Sequence, residues 1–169
     1  MKKTLLLIPI LLFCFIGFSQ SSDDYVITNK DSLKADESPK QAFGLNLGST
    51  TGLGFTYRFF PNKFGFQLTA IPIFLGNGET FVSAGASLMY KVKESRRIDL
   101  FGYLGNHLIF FAGNNSSNYS HQIGLGAGIN MHVWIDVLDI SIQLGYGAYD
   151  VNHSPVSFLA AEFGFFYRF

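Results

Sequence analysis

Four histidines, one cysteine and a thin scatter of charged side chains set the chemistry open to this chain. His121 follows Ser120 and His153 precedes Ser154, which raises the question of a nucleophile and its base. Nucleophilic catalysis needs serine, histidine and an acid to converge. Neighbours on an extended strand point to opposite faces, so these adjacent pairs do not form a dyad. His107, His121 and His153 are predicted near loop ends and His132 on a strand, and none stands at a spacing from a carboxylate that would build a metal site. Gly124, Gly126 and Gly128 lack the helix that a phosphate-binding loop must open, because their alternation continues into a strand. Catalytic, cofactor and metal residues are therefore all expected to be absent.

Composition narrows the class further. Net charge is zero, charged residues make up 14% and aromatics 17%, and there are 18 glycines. A soluble domain carries about 25% charged residues, and several of the few charges here crowd into the segment from Ser21 to Gln41. Nothing marks a nucleic-acid partner. Lys2 and Lys3 precede an apolar run from Leu5 to Phe18, with Gly17 and Ser19 placed for cleavage before Gln20. Residues 1–19 are thus predicted to be an export signal, and they contain Cys14, so the mature chain has no thiol. Residues 20–41 lack apolar periodicity, contain Pro39 and read as a flexible leader.

From Ala42 onward the chain alternates. Phe43, Leu45 and Leu47 share one face, then Leu53, Phe55, Tyr57 and Phe59, with Ser49-Thr50-Thr51-Gly52 between the two runs. Further runs follow at 64–70, 82–93, 98–111, 122–133 and 139–147, and a last one ends at Phe169. The fifth alternates least cleanly, because Asp99 and His107 share a face with Phe101, Tyr103 and Ile109; a bulge near Gly102 or Gly105 is the expected cause. In the last run Leu159, Ala161, Phe163, Phe165, Tyr167 and Phe169 oppose Ala160, Glu162, Gly164 and Arg168, with Phe166 out of pattern. Eight strands in 128 residues allow about 16 each with its connection, which suits tilted membrane strands. The longest loop is expected at Gly113 to Ser120, a polar tip with one aromatic.

The second face decides between solvents. A soluble barrel or sandwich would carry Lys and Glu there, whereas this face is mainly Gly, Ser, Thr, Asn and Gln. The predicted fold is all-β: an eight-stranded antiparallel up-and-down transmembrane β-barrel over residues 42–169. Tyr57, Tyr90, Tyr146 and Tyr167 stand where interfacial girdles belong. Eight strands enclose a space that side chains fill, so Arg58, Lys91, Glu162 and Arg168 are expected to form a paired lumen network, with Glu162 bridging Arg58. Asp99 and Asp139 should lie close to the periplasmic ends of their strands.

The C-terminal spacing of Gly164, Tyr167 and Phe169 resembles the signal by which the bacterial assembly machinery recognises outer-membrane barrels. With the export signal and the Gly-rich amphipathic strands, the chain resembles the small outer-membrane β-barrel family common in Bacteroidetes, of OmpA- and OmpX-like architecture. The resemblance implies an outer-membrane location, lipid and the assembly machinery as partners, and a structural or surface-interaction role. A lipid-modifying enzyme of the lipid A deacylase kind and a narrow small-solute channel are the alternatives. The first is disfavoured by the absence of a His-any-Ser-Asn pattern.

Overall fold

The computed structural model describes residues 40–75, 78–113, 116–133, 137–150 and 155–169. The signal, nearly all of the leader, Asn114, Asn115, His153 and Ser154 lie outside them. Eight strands run in chain order: β1 (Gln41–Leu47), β2 (Leu53–Phe59), β3 (Phe64–Leu75), β4 (Glu79–Lys93), β5 (Ile98–Gly113), β6 (Ser116–Val133), β7 (Leu138–Tyr149) and β8 (Val156–Arg168). Each pairs antiparallel with the next, and β8 returns to β1 from Ala42↔Arg168 to Leu47↔Phe163, which closes the barrel. Closure leaves no sheet edge, as lipid requires of any spanning sheet.

The distribution of side chains is the inverse of a soluble domain. Leu68, Leu88, Leu125 and Leu159 point outward and are 52%, 65%, 63% and 78% exposed. Asn46, Thr56, Gln67, Ser83, Asn130, Ser141 and Gln143 point inward and are buried. An apolar exterior around a polar, filled interior is the signature of a barrel crossing a membrane with strands. At the end carrying the described termini, called here the terminal end, Tyr57, Tyr90 and Tyr167 are joined by Phe64 and Phe169. Tyr119, Tyr146 and Tyr149 lie toward the other, distal end.

Four expectations need correction. First, β5 pairs with β6 without interruption from Ile98↔Met131 to Gly113↔Ser116. The β4–β5 ladder does shift register beside Gly102, but the extra residue sits on β4, between Lys91 and Lys93 and opposite Phe101 and Leu100, and there is no shift at Gly105. The alternation of β5 is regular but points Phe101 and Tyr103 into the lumen, where they pack with Met89 and Phe60. Second, Phe166 is also in register: it faces inward and is 1% exposed. Third, the stretch from Gly113 to Ser120 is not a long loop, because β5 runs to Gly113 and β6 begins at Ser116. Gln41, assigned to the leader, already belongs to β1 and pairs with Phe59.

Strand length makes the wall uneven. β1 and β2 have 7 residues each, whereas β3, β4, β5 and β6 have 12, 15, 16 and 18. The wall is low along the first hairpin, and the two that follow rise beyond it at the distal end.

The closing seam is tight at Gly44, where an added Cβ would overlap the Phe165 carbonyl. Gly44→Val should cost about 3 kcal/mol or more. The expected result is loss of the faster-migrating folded band in unheated gels, or a lower urea midpoint for that band.

Candidate functional site

The β1–β2 connection does not stand above the barrel. It folds into the lumen, and Thr50 and Thr51 are 0% exposed. The backbone sets up the turn: Gly48 N donates to Gly52 O at 3.1 Å, and Gly52 has φ of 100°, a conformation open to glycine and strained for other residues. Asn46 Nδ2 then donates to Thr51 Oγ1 at 2.9 Å and to Gly52 O at 2.8 Å.

Glu162 is the receptor for the tip. Its carboxylate accepts from Thr50 N at 2.7 Å, from Thr50 Oγ1 at 2.6 Å and from the Thr51 hydroxyl. Three donors aimed at one buried carboxylate satisfy a charge that would otherwise be expensive at this depth. Ser83 and His107 hold the two ends of the loop. Ser49 O can only accept, so His107 donates from Nδ1 at 2.8 Å, and its Nε2 accepts from the Ser83 hydroxyl at 2.8 Å. Ser83 Oγ in turn accepts from Leu53 N at 3.0 Å.

Ser83 and His107 have the hydrogen-bonded relation of a nucleophile and its base. Their surroundings make them a clamp instead: the group behind the imidazole is a backbone carbonyl, and Ser83 has no exposed surface. The proposed Ser120 and His121 neighbours do point to opposite sides, as the strand reading required: His121 bonds Asn106 on the exterior, and Ser120 has a buried hydroxyl.

Space for the loop comes from missing side chains in the wall. A Cβ at Gly85 would strike Thr51 O, one at Gly105 would lie 2.5 Å from Thr50 O, and those at Gly124 and Gly147 would meet Thr50 Cγ2. One glycine on each of β4, β5, β6 and β7 therefore makes a recess for the loop tip.

Below the loop lies a cationic layer. Arg58 Nε donates to Gln67 Oε1 at 2.6 Å, and its terminal nitrogens reach Asn130 Oδ1 at 3.0 Å and Ser141 Oγ at 3.2 Å. The guanidinium lies 3.5 Å from the Phe166 ring centroid and 5.9 Å from that of Phe101. The expected Glu162–Arg58 bridge is absent, because Glu162 is occupied by the loop above and Arg58 by amide and hydroxyl oxygens beside it. Phe166 lies back over Gly164, where a Cβ would come 2.5 Å from the ring. Packing thus supplies a reason for glycine at that place in the final strand.

The remaining lumen charges do pair, at the terminal end. Lys91 Nζ meets Glu94 Oε1 at 2.6 Å and Asp99 Oδ2 at 3.4 Å. His132 stands between Asp99 and Asp139, at 3.3 Å and 2.7 Å, and Arg168 Nε lies 3.7 Å from Oδ2, the other carboxylate oxygen of Asp139. Lys91, Asp99, His132, Asp139 and Arg168 therefore form a belt from β4 to β8. The cavity beside this belt and Arg58 holds about 20 Å³, room for about one water. Among the described residues no cluster of metal-ligating side chains occurs.

No protein-family model matches the chain, and no curated protein matches it. Among solved structures it is similar to Neisserial surface protein A, NspA, at 18% identity over 76% of this chain and 93% of that one, with a TM-score of 0.42. It is also similar to Ail, the attachment invasion locus protein of Yersinia pestis, at 17% identity over the same shares, with a TM-score of 0.35.

Sequence reasoning placed Arg58, Lys91, Glu162 and Arg168 in the lumen, where all four are buried. It missed the inward loop, Ser83 and His107. The available signal was Glu162 itself: a lone deep carboxylate, with Thr-Thr in the nearest turn and glycines on four strands around it.

Glu162→Ala removes the acceptor for three donors, which costs about 3 kcal/mol or more where hydrogen bonds to a charge are worth about 1.5–3 kcal/mol each. The folded band should melt at lower urea, and the loosened loop should raise conductance in planar bilayers above that of the parent.

Proposed function

We propose that the protein is an integral outer-membrane barrel with a closed lumen, acting through contacts of its distal hairpins and without catalysis. The observation carrying this reading is the first connection latched on Glu162, with the arginine layer and the charge belt below it. A lumen filled at three levels is a support, not a conduit. The functional surface then falls outside it.

That surface is the raised part of the wall. On β3 Ile73, Phe74 and Leu75 are exposed, and on the far side of β4 so are Phe110, Phe111 and Tyr119 on β5 and β6. Since side chains alternate in direction, both faces of these hairpins present apolar and aromatic groups. Aromatic side chains are favoured anchors for protein and glycan contact. The tight connections at the terminal end fit a periplasmic side, and the raised hairpins an external one. In this orientation Gly164, Tyr167 and Phe169 remain available, before closure, as the assembly signal.

Four measurements test the proposal. The protein should fractionate with outer membranes, and an epitope inserted between Gly113 and Ser116 should be labelled on intact cells. Recovery in the soluble periplasm, or labelling only after permeabilisation, would overturn the location or the orientation respectively. Wild-type protein should show no stable conductance, and expression should leave the mass of lipid A unchanged.

A further inference from the structure

Across the middle of the barrel the outward positions are apolar, with one interruption. Asn106 of β5 and His121 of β6 face outward, and Asn106 Nδ2 lies 2.7 Å from His121 Nε2. With the amide nitrogen as donor, Nε2 accepts and the ring proton sits on Nδ1. The pair thus retains a donor at Nδ1 and an acceptor at Oδ1, and neither side chain makes another hydrogen bond among the described residues. Polar groups in a membrane protein usually face the interior, because hydrocarbon offers them nothing. Here the interior was open to them one residue away.

Depth says which part of a lipid the pair can reach. Asn106 lies eight residues along β5 from Ile98. At about 3.4 Å per residue and a tilt of about 40°, it stands roughly 20 Å from the terminal end of an apolar band about 25 Å tall. This is the distal leaflet, toward the level where acyl chains meet their carbonyls.

A depression adjoins the pair. Ala86 on β4 pairs across the strands with both Leu68 and Asn106, and its small side chain leaves a hollow among Leu68, Leu88, Leu104 and Ile123. The hollow measures about 390 Å³, is mostly apolar and has Asn106 in its lining. It is an open trough on the barrel surface, with Asn106 as its outward-facing polar side chain.

We infer that this trough binds one acylated lipid of the surrounding leaflet, with an acyl chain over Ala86 and an ester or amide carbonyl on the Asn106–His121 pair. The carbonyl accepts from His121 Nδ1 or the second amide hydrogen of Asn106, and a lipid hydroxyl can donate to Asn106 Oδ1. The inference rests on the membrane-barrel reading, since only in lipid is this face offered such a ligand. Ordinary annular lipid would leave the pair's remaining donor and acceptor unsatisfied, so a lipid that engages them should exchange more slowly than its neighbours.

The test uses the full mature protein in mild detergent, with palmitoyl-oleoyl phosphatidylethanolamine as the probe and native mass spectrometry as the readout. Wild type should retain one lipid, and its diether analogue, which lacks the carbonyls, should be retained at least about five-fold less. Ala86→Leu, which fills the trough, and the pair Asn106→Leu with His121→Leu should each lose the retained lipid. The double variant should also treat ester and ether lipids alike, while Ala161→Leu on the far wall should behave as wild type. Equal retention by all variants, or no preference for the ester lipid in wild type, would overturn the site. A heat-modifiability check on each variant and outer-membrane fractionation of wild type report separately on the barrel itself, and the two trough variants act through different strands.

Discussion

Everything in this molecule follows from one requirement: a backbone surrounded by lipid must pair every amide and carbonyl with itself. The β1–β8 seam meets it, from Ala42↔Arg168 to Leu47↔Phe163. Once eight strands close, their circumference is set and so is the width of the interior. Inward side chains then have a limited volume in which to hydrogen-bond to one another, because neither bulk water nor hydrocarbon satisfies them there. The close approach at Gly44, the ring of Phe166 over Gly164 and the recessed Thr50 are all answers to that limit.

Three levels of the interior solve the problem by different chemistry. Near the distal end a carboxylate is met by backbone and hydroxyl donors of an inward loop. In the middle a guanidinium is met by neutral oxygens and an aromatic face. At the terminal end, charges of both signs alternate around the wall. Removing one partner from any level would strand a buried polar group, whose desolvation penalty exceeds the ordinary net value of the bond. The lumen is thus a cooperative structure, and the first connection is part of it.

Outside, the same economy is broken once. Asn106 and His121 face the hydrocarbon with each other as partners, on a wall whose neighbouring outward positions are apolar. The raised hairpins form a second outward feature, above the band and built from exposed aromatic residues. The exterior therefore divides into a lipid-facing belt with a polar notch and a projecting rim.

By itself the sequence determined strand number, antiparallel order and the direction of most side chains. Period-two alternation is a local property, and Leu45, Phe55, Leu68 and Leu125 carry it without reference to distant residues. It also placed Arg58, Lys91, Glu162 and Arg168 inside. Only the tertiary structure decided their partners. Arg58 reaches Asn130 and Ser141 across the lumen, contacts that depend on how far the strands are staggered around the cylinder, and no single strand encodes that offset. Phe101, Tyr103 and Phe166 looked irregular because an aromatic has the same hydrophobic character whether lipid or a guanidinium covers it. The turn at Ser49 to Gly52 has ordinary turn chemistry, and its inward course is set by a glutamate more than a hundred residues away and by glycines on other strands. Pattern fixes which way a side chain points; what it meets there is a property of the closed barrel.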